Sequence, residues 1–91
     1  MSVLVLPNEL TQSQATACLR MLVQGLRAQS GTDVVVDATA LSRFDSSALA
    51  VLLEFRRETL ALGKRFVVRG LPARLGDLAS LYGISGLLPA A

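Results

Sequence analysis

The chain reads as a small α/β protein: a mostly parallel sheet of three to four strands with helices packed on it. Three observations point there. Short strand-like runs at residues 3–6, 34–36 and 64–69 alternate with longer stretches of helical spacing. Turn or cap residues stand at each changeover, and 91 residues leave room for one domain, residues 1–91. Strand and helix in alternation imply parallel strands joined by right-handed crossovers.

Residues 3–6 are four apolar positions stopped by Pro7 and Asn8, the length and punctuation of a short strand. From Glu9 or Leu10 to Ala28 the spacing of Leu10, Ala17, Leu19, Leu22, Val23 and Leu26 predicts a helix, with Thr11 or Asn8 as its cap. Ser30, Gly31 and Thr32 end it and turn the chain into Val34, Val35 and Val36. That β-branched run, closed by Asp37, reads as a strand buried on both faces. A polar loop, residues 38–44, then leads to Asp45, Ser46 and Ser47, all favourable helix caps.

The second helix is predicted over residues 46–62, stopping at Gly63 as the C′ residue. At 100° per residue Leu49, Leu53 and Leu60 form one edge, Ala48 and Leu52 the middle, and Val51, Phe55 and Leu62 the other, an apolar arc of roughly 200°. A helix buried between two neighbours uses all of it; a helix with one edge held back for a partner uses less. Residues 64–69, KRFVVR, make a third strand with basic ends, closed by Gly70, Leu71 and Pro72. Pro72 suits the first turn of a helix through Leu75, Leu78, Ala79 and Leu81, ended by Tyr82 and Gly83. The tail, ISGLLPAA, is apolar enough to pack back on the domain. A fourth strand is expected from that tail, or a partner covers the sheet edge.

Composition removes most chemistry. Hydrophobic residues are 52% of the chain, enough for a core, and a formal net charge of +2 is too weak a bias to indicate nucleic acid. There is no histidine, so Ser-His-Asp and Cys-His arrangements and histidine metal sites are excluded. Cys18 is the single cysteine, which excludes an internal disulfide and reads as core filler in a reducing compartment. The N-terminus lacks the pattern of a signal peptide and no apolar run is long enough to span a bilayer, so a cytoplasmic protein is expected. Arg56, Arg57, Lys64, Arg65, Arg69 and Arg74 make the C-terminal half basic, but Phe44, Phe55 and Phe66 fall at core positions and leave no stacking platform. A solvated basic face is the simpler reading, with an anionic lipid surface or an acidic partner as the alternative.

No Gly-rich phosphate loop or nucleotide fingerprint is present. Asp37 and Asp45 both fall at the carboxyl end of the central strand, where open α/β sheets place their sites. Acid-base or metal chemistry there needs a third group that no neighbour supplies, so no catalytic residue, metal or cofactor is expected. Ser46 is the informative position. At a helix start the outward N–H groups and the dipole favour a phosphate; the plainer alternative makes Ser46 or Ser47 an N-cap worth about 1 kcal/mol.

The segment FDSSALAVLL, following a strand and loop and followed after a Gly by a basic-flanked strand, resembles the STAS domain of anti-sigma factor antagonists. In that family the residue after the loop Asp is the regulatory phosphorylation site, which matches Asp45 and Ser46. Residues 78–89, LASLYGISGLLP, and 4–10, LVLPNEL, are similar to the MlaB-like branch, the STAS subunits of bacterial Mla phospholipid transporters. This resemblance implies a non-enzymatic cytoplasmic subunit, peripheral at the inner membrane, that supports the ATPase of an ABC-type phospholipid transporter (MlaF-like) maintaining outer-membrane lipid asymmetry. The contact surface it implies is Asp45, Ser46, Ser47, Ala48, Ala50, Glu54 and Arg57. The alternative is an anti-sigma factor antagonist that binds a kinase-type anti-sigma factor and is regulated at Ser46. Two departures accompany the likeness: the opening strand usual in this fold is expected to be missing, and Ala48 stands where many antagonists have Gly.

Overall fold

Residues 2–91 are described in a computed structural model of the chain. The strand β1 (Ser2–Val5) leads through β2 (Glu9–Leu10) into helix α1 (Gln12–Arg27), then β3 (Asp33–Asp37), β4 (Arg43–Phe44), α2 (Ser47–Ala61), β5 (Arg65–Arg69), α3 (Ala73–Leu81) and a 3-10 turn over Ser85–Leu87. β1, β3 and β5 form a parallel sheet with β3 in the centre, in register Val3–Val35–Val67. The alternation of strand and helix produces this directly, because each helix carries the chain back to start the next strand in the same direction.

The core lies on one face of that sheet. Val34, Val36, Phe66 and Val68 point into it and meet Cys18, Leu22 and Leu26 of α1, Leu49, Leu52 and Phe55 of α2, and Leu75 and Ala79 of α3. Phe55 is fully buried and meets Phe66 edge-on at 6.2 Å. The period-2 pleat sends Val3, Val5, Val35 and Val67 to the opposite face. Val35 is buried there too, outside the main core cluster. Two Asp–Arg pairs flank that row, Asp33 with Arg65 at 3.9 Å and Asp37 with Arg69 at 3.8 Å.

Three sequence expectations are corrected. The first helix starts at Gln12, because Glu9 and Leu10 pair in parallel with Arg43 and Phe44. The Asn8 carbonyl accepts hydrogen bonds from the Ser42 and Arg43 amides at 2.9 and 3.0 Å, which holds this segment extended, and Leu10 is fully buried. Thr11 and Gln14 then start the helix, the Thr11 amide donating to Gln14 Oε1 at 2.8 Å. The stretch 38–44 is not simply a polar loop: Ala38 and Leu41 are buried and its end is the short strand β4. Pro72 precedes the first turn of the last helix as its cap, with φ −57° and ψ 141°.

The wide apolar arc of α2 is mostly used, with Ala48, Leu49, Val51, Leu52 and Phe55 buried, while Leu60 and Leu62 near its end stay exposed. Gly63 takes φ 73° after that helix, as its C′ position requires. The tail packs back as expected. Leu88 is buried, Val68 donates to the Pro89 carbonyl at 2.8 Å, and Ala91 donates to the Val68 carbonyl at 2.9 Å. A short parallel bridge, Val68 to Ala90, thus covers the outer edge of β5.

Candidate functional site

The corner after β3 is built by two turns that stack against each other. Asp37 closes β3 with Oδ1 accepting from the Thr39 amide at 2.9 Å. Hydrogen bonds from Thr39, with the Arg69 guanidinium beside it, hold its carboxyl below the usual carboxylate range. Gly70 follows β5 at φ 68°, pressed against Thr39, where a methyl group would collide with the threonine side chain. The chain then runs through β4, tied to β2 by the Arg43–Glu9 pair at 3.2 Å, and the Arg74 guanidinium lies 5.1 Å from the centre of the Phe44 ring.

Asp45 is the hinge of the corner. Its Oδ1 accepts from the Ser47 amide at 2.8 Å, and its Oδ2 accepts from the Gln12 amide at 3.2 Å. One carboxylate therefore caps α2 and reaches the first amide of α1, and these amides push its pKa down. The Asp45 carbonyl accepts from Ala48 at 3.1 Å, and the Ser46 carbonyl accepts from Leu49 at 3.1 Å. Little of the first turn is left open to a phosphate. Ser46 stands at the N-cap position, as the sequence suggested, but its side chain makes no capping bond, and the residue is exposed.

Down α2 from Ser46, Ala50, Glu54 and Arg57 follow at helical spacing and form one outward stripe. Ser46, Ala50 and Arg57 are exposed and Glu54 half-buried. Arg57 binds Glu54 through two contacts, Nε to Oε2 at 2.8 Å and Nη2 to Oε1 at 3.3 Å, so the lower end carries a neutral pair. Ala48 faces inward and is fully buried; it supports the stripe from beneath and is not part of the surface. Ser47 is half-buried at the head of the helix. Beside the stripe runs a shallow groove whose other wall is α1, lined by Ala15, Thr16 and Leu19 opposite Ala50, Val51 and Glu54. Sequence spacing identifies the α2 wall, but nothing in it signals that residues more than thirty positions earlier supply the facing wall.

Asp37 and Asp45 are each turned to their own amides, and among the described residues no group of three His, Cys, Asp or Glu side chains could hold a metal ion. Cys18 is buried, and desolvation raises its thiol pKa, as expected for core filler. Among the described residues no helix is long and apolar enough to cross a membrane.

The family model described as MlaB, STAS domain, matches residues 1–89 of the chain. A search of curated proteins finds no match. Solved structures do match. An anti-sigma factor antagonist assignment from Thermotoga maritima superposes with a TM-score of 0.79 at 16% identity, covering 97% of this chain and 77% of its own. The anti-sigma factor antagonist SpoIIAA in its unphosphorylated form gives 0.75 at 19%, covering 98% and 77%. An anti-sigma-factor antagonist (STAS) domain protein from Planctomyces limnophilus gives 0.78 at 14%, covering 97% and 79%. At these identities the structures are alike in fold.

Proposed function

Since the chain belongs to the MlaB, STAS domain family, we propose that it is a protein-binding subunit that docks on the ATPase of an ABC-type phospholipid transporter. The family match over nearly the whole chain carries this reading. The docking surface is the corner Asp45, Ser46 and Ser47 with the stripe Ala50, Glu54 and Arg57, underlain by Ala48. Three features suit it to a protein contact. The stripe stands on a helix locked into the core by Leu52 and Phe55, so little ordering entropy is lost on binding. Its residues are small or mutually neutralised, which lowers the desolvation cost of covering them. Asp45 ties the first turns of α1 and α2 together, so both walls of the groove present as one rigid surface. In this role the protein sits on the cytoplasmic side of the inner membrane through its complex.

The test is co-purification. The tagged chain is co-expressed with the ATPase of an ABC-type phospholipid transporter, and ATP hydrolysis is measured with and without the chain. Recovery of the ATPase with raised activity is expected, and Ala50→Arg abolishes both while leaving the thermal midpoint in place. An ATPase that neither binds nor responds overturns the reading.

A second reading is an anti-sigma factor antagonist switched at Ser46, favoured by the exposed Ser46 hydroxyl that no capping bond engages. A phosphate there adds about 1.5 to 2 negative charges beside the Asp45 carboxylate and disfavours an apposed acidic surface. Intact-mass measurement after incubation with the cognate kinase decides it; an unmodified chain rejects it.

A further inference from the structure

The exposed apolar side chains gather at the end of the molecule opposite the Asp45 corner. β3 and β5 start there at Asp33 and Arg65, and α2 and α3 both run back to it, ending at Ala61 and Leu81. Among the described residues the exposed large hydrophobic side chains are Leu60, Leu62, Leu81, Tyr82 and Leu87 at this end, with only Val3, Val5 and Met21 elsewhere. Leu62 is 54%, Tyr82 56% and Leu81 77% exposed. Ser2 lies on β1, two strands away from β5, and Ala91 bonds to Val68 toward the other end of β5.

Two turns of the same build carry these side chains. Leu62 precedes Gly63 after α2, and Tyr82 precedes Gly83 after α3, with φ 73° and 72° at the two glycines. Beyond the adjoining residues no atom lies within 4 Å of where a β-carbon would stand on either glycine, so both turns project clear of the body. The carbonyls that end the two helices are already engaged: Thr59 accepts from Lys64 at 3.2 Å, Leu60 from Gly63 at 2.9 Å, Ala79 from Ile84 at 2.9 Å and Ser80 from Gly83 at 3.0 Å. This backbone therefore gives up few hydrogen bonds to water when an apolar medium covers it.

Cations surround the turns. Arg56 and Arg65 line a shallow groove with Leu60, Gly86 and Pro89. Lys64, next to Gly63, donates to the Gln29 carbonyl at 2.7 Å, which fixes its ammonium group at the same end. Asp33 is the carboxylate at this level among the described residues, held 3.9 Å from Arg65, while Glu58 and Asp77 stand one helical turn further back.

We propose that this end is a peripheral membrane surface, in which Leu62, Leu81 and Tyr82 enter the headgroup region of an anionic lipid bilayer and Arg56, Lys64 and Arg65 meet its phosphates. Single side chains on two separate turns present no strand edge to a protein, but each can enter between lipid headgroups by itself, at the level where leucine and tyrosine leave water. Long basic side chains reach past the apolar ones to the headgroup charge. Because the surface lies at the opposite end from Asp45, it goes beyond the docking reading and does not depend on which protein binds at the corner.

Vesicle co-sedimentation of the purified full chain tests this. The chain is expected to pellet with vesicles of phosphatidylcholine and phosphatidylglycerol, far less with phosphatidylcholine alone, and less in high salt. Leu62→Glu, Leu81→Glu and Lys64→Glu each lower the partition coefficient about fivefold or more. Met21→Glu, a control on an exposed side chain of α1, leaves it unchanged, and thermal midpoints show that all four variants are folded. Tyr82 gives an independent reading, because the chain has one tyrosine and no tryptophan: brominated lipid in the anionic vesicles quenches its fluorescence. A chain that stays in the supernatant with anionic vesicles, equal binding with and without phosphatidylglycerol, binding indifferent to all three substitutions at this end, or Tyr82 fluorescence untouched by brominated lipid overturns the proposal. Leu62→Glu and Leu81→Glu chains that keep vesicle binding and lose only the recovery of a protein partner overturn it in favour of a protein contact.

Discussion

Of the three cap candidates, Asp45 supplies the side-chain bond at the head of α2. Serine is a good N-cap, yet the Ser46 side chain makes no capping bond, and the Ala48 and Leu49 amides it could accept from bond to the Asp45 and Ser46 carbonyls. Ser46→Ala is therefore expected to change unfolding free energy by less than about 0.5 kcal/mol, within the range of surface substitutions, as read by urea titration. Asp45→Asn has a different signature. The native amides hold the Asp45 carboxyl below its unfolded value, so the carboxylate stabilises the fold above the unfolded pKa of about 3.9. That contribution is lost as pH falls through the lower native pKa. Thermal midpoints measured from neutral to acid pH should start lower for Asp45→Asn than for the wild type and fall less steeply below about pH 4. Asp37 contributes in the same direction, so the variant keeps part of the acid sensitivity.

Among the elements, α2 links core and surface. Leu52 and Phe55 anchor it, while Ala50 and Arg57 face outward a few positions away. Thr59 is fully buried near its end, a polar side chain in the core satisfied by donating to the Phe55 carbonyl at 2.8 Å. Sequence reading passes over Thr59, because a threonine near a helix end has no feature that marks it as buried. At the far side of the corner, Gly70 permits β5 to turn where Thr39 of the preceding loop crosses it. Gly70→Ala meets both a positive φ and the threonine side chain, and a loss of more than about 1 kcal/mol in chemical denaturation is expected. Because Thr39 also donates to Asp37, the strain is passed to the start of the loop that leads to Asp45.

At the scale of the molecule, a narrow three-stranded sheet is completed by its own tail on one side. Leu88 fills the end of the core, and Pro89 and Ala91 bond to Val68. Removing residues 88–91 takes the buried Leu88 out of the core, a loss of about 1.5–3 kcal/mol of burial, and uncovers the edge of β5. The truncated chain should show a lower thermal midpoint and concentration-dependent aggregation by light scattering. A truncated chain as stable and dispersed as the whole would mean that the tail does not seal the sheet.

The amino-acid order alone determined the alternation of strand and helix, and with it the parallel sheet, because short continuous apolar runs give way to 3.6-residue spacing wherever turn residues stand. It also determined the return of the apolar tail and the placing of the candidate corner at Asp45 and Ser46. Three-dimensional packing decided what no local pattern carries. The ladder of Glu9 and Leu10 with Arg43 and Phe44 is too short to have a periodicity, and it exists only because Asn8 lies beside Ser42 and Arg43 in the fold. The capping of two helices by one carboxylate depends on Gln12 and Asp45 meeting across 33 positions of chain. The residues remain those at which the sequence pointed; which atom caps the helix, and which second helix completes the surface, are set by contacts that exist only once the chain has folded.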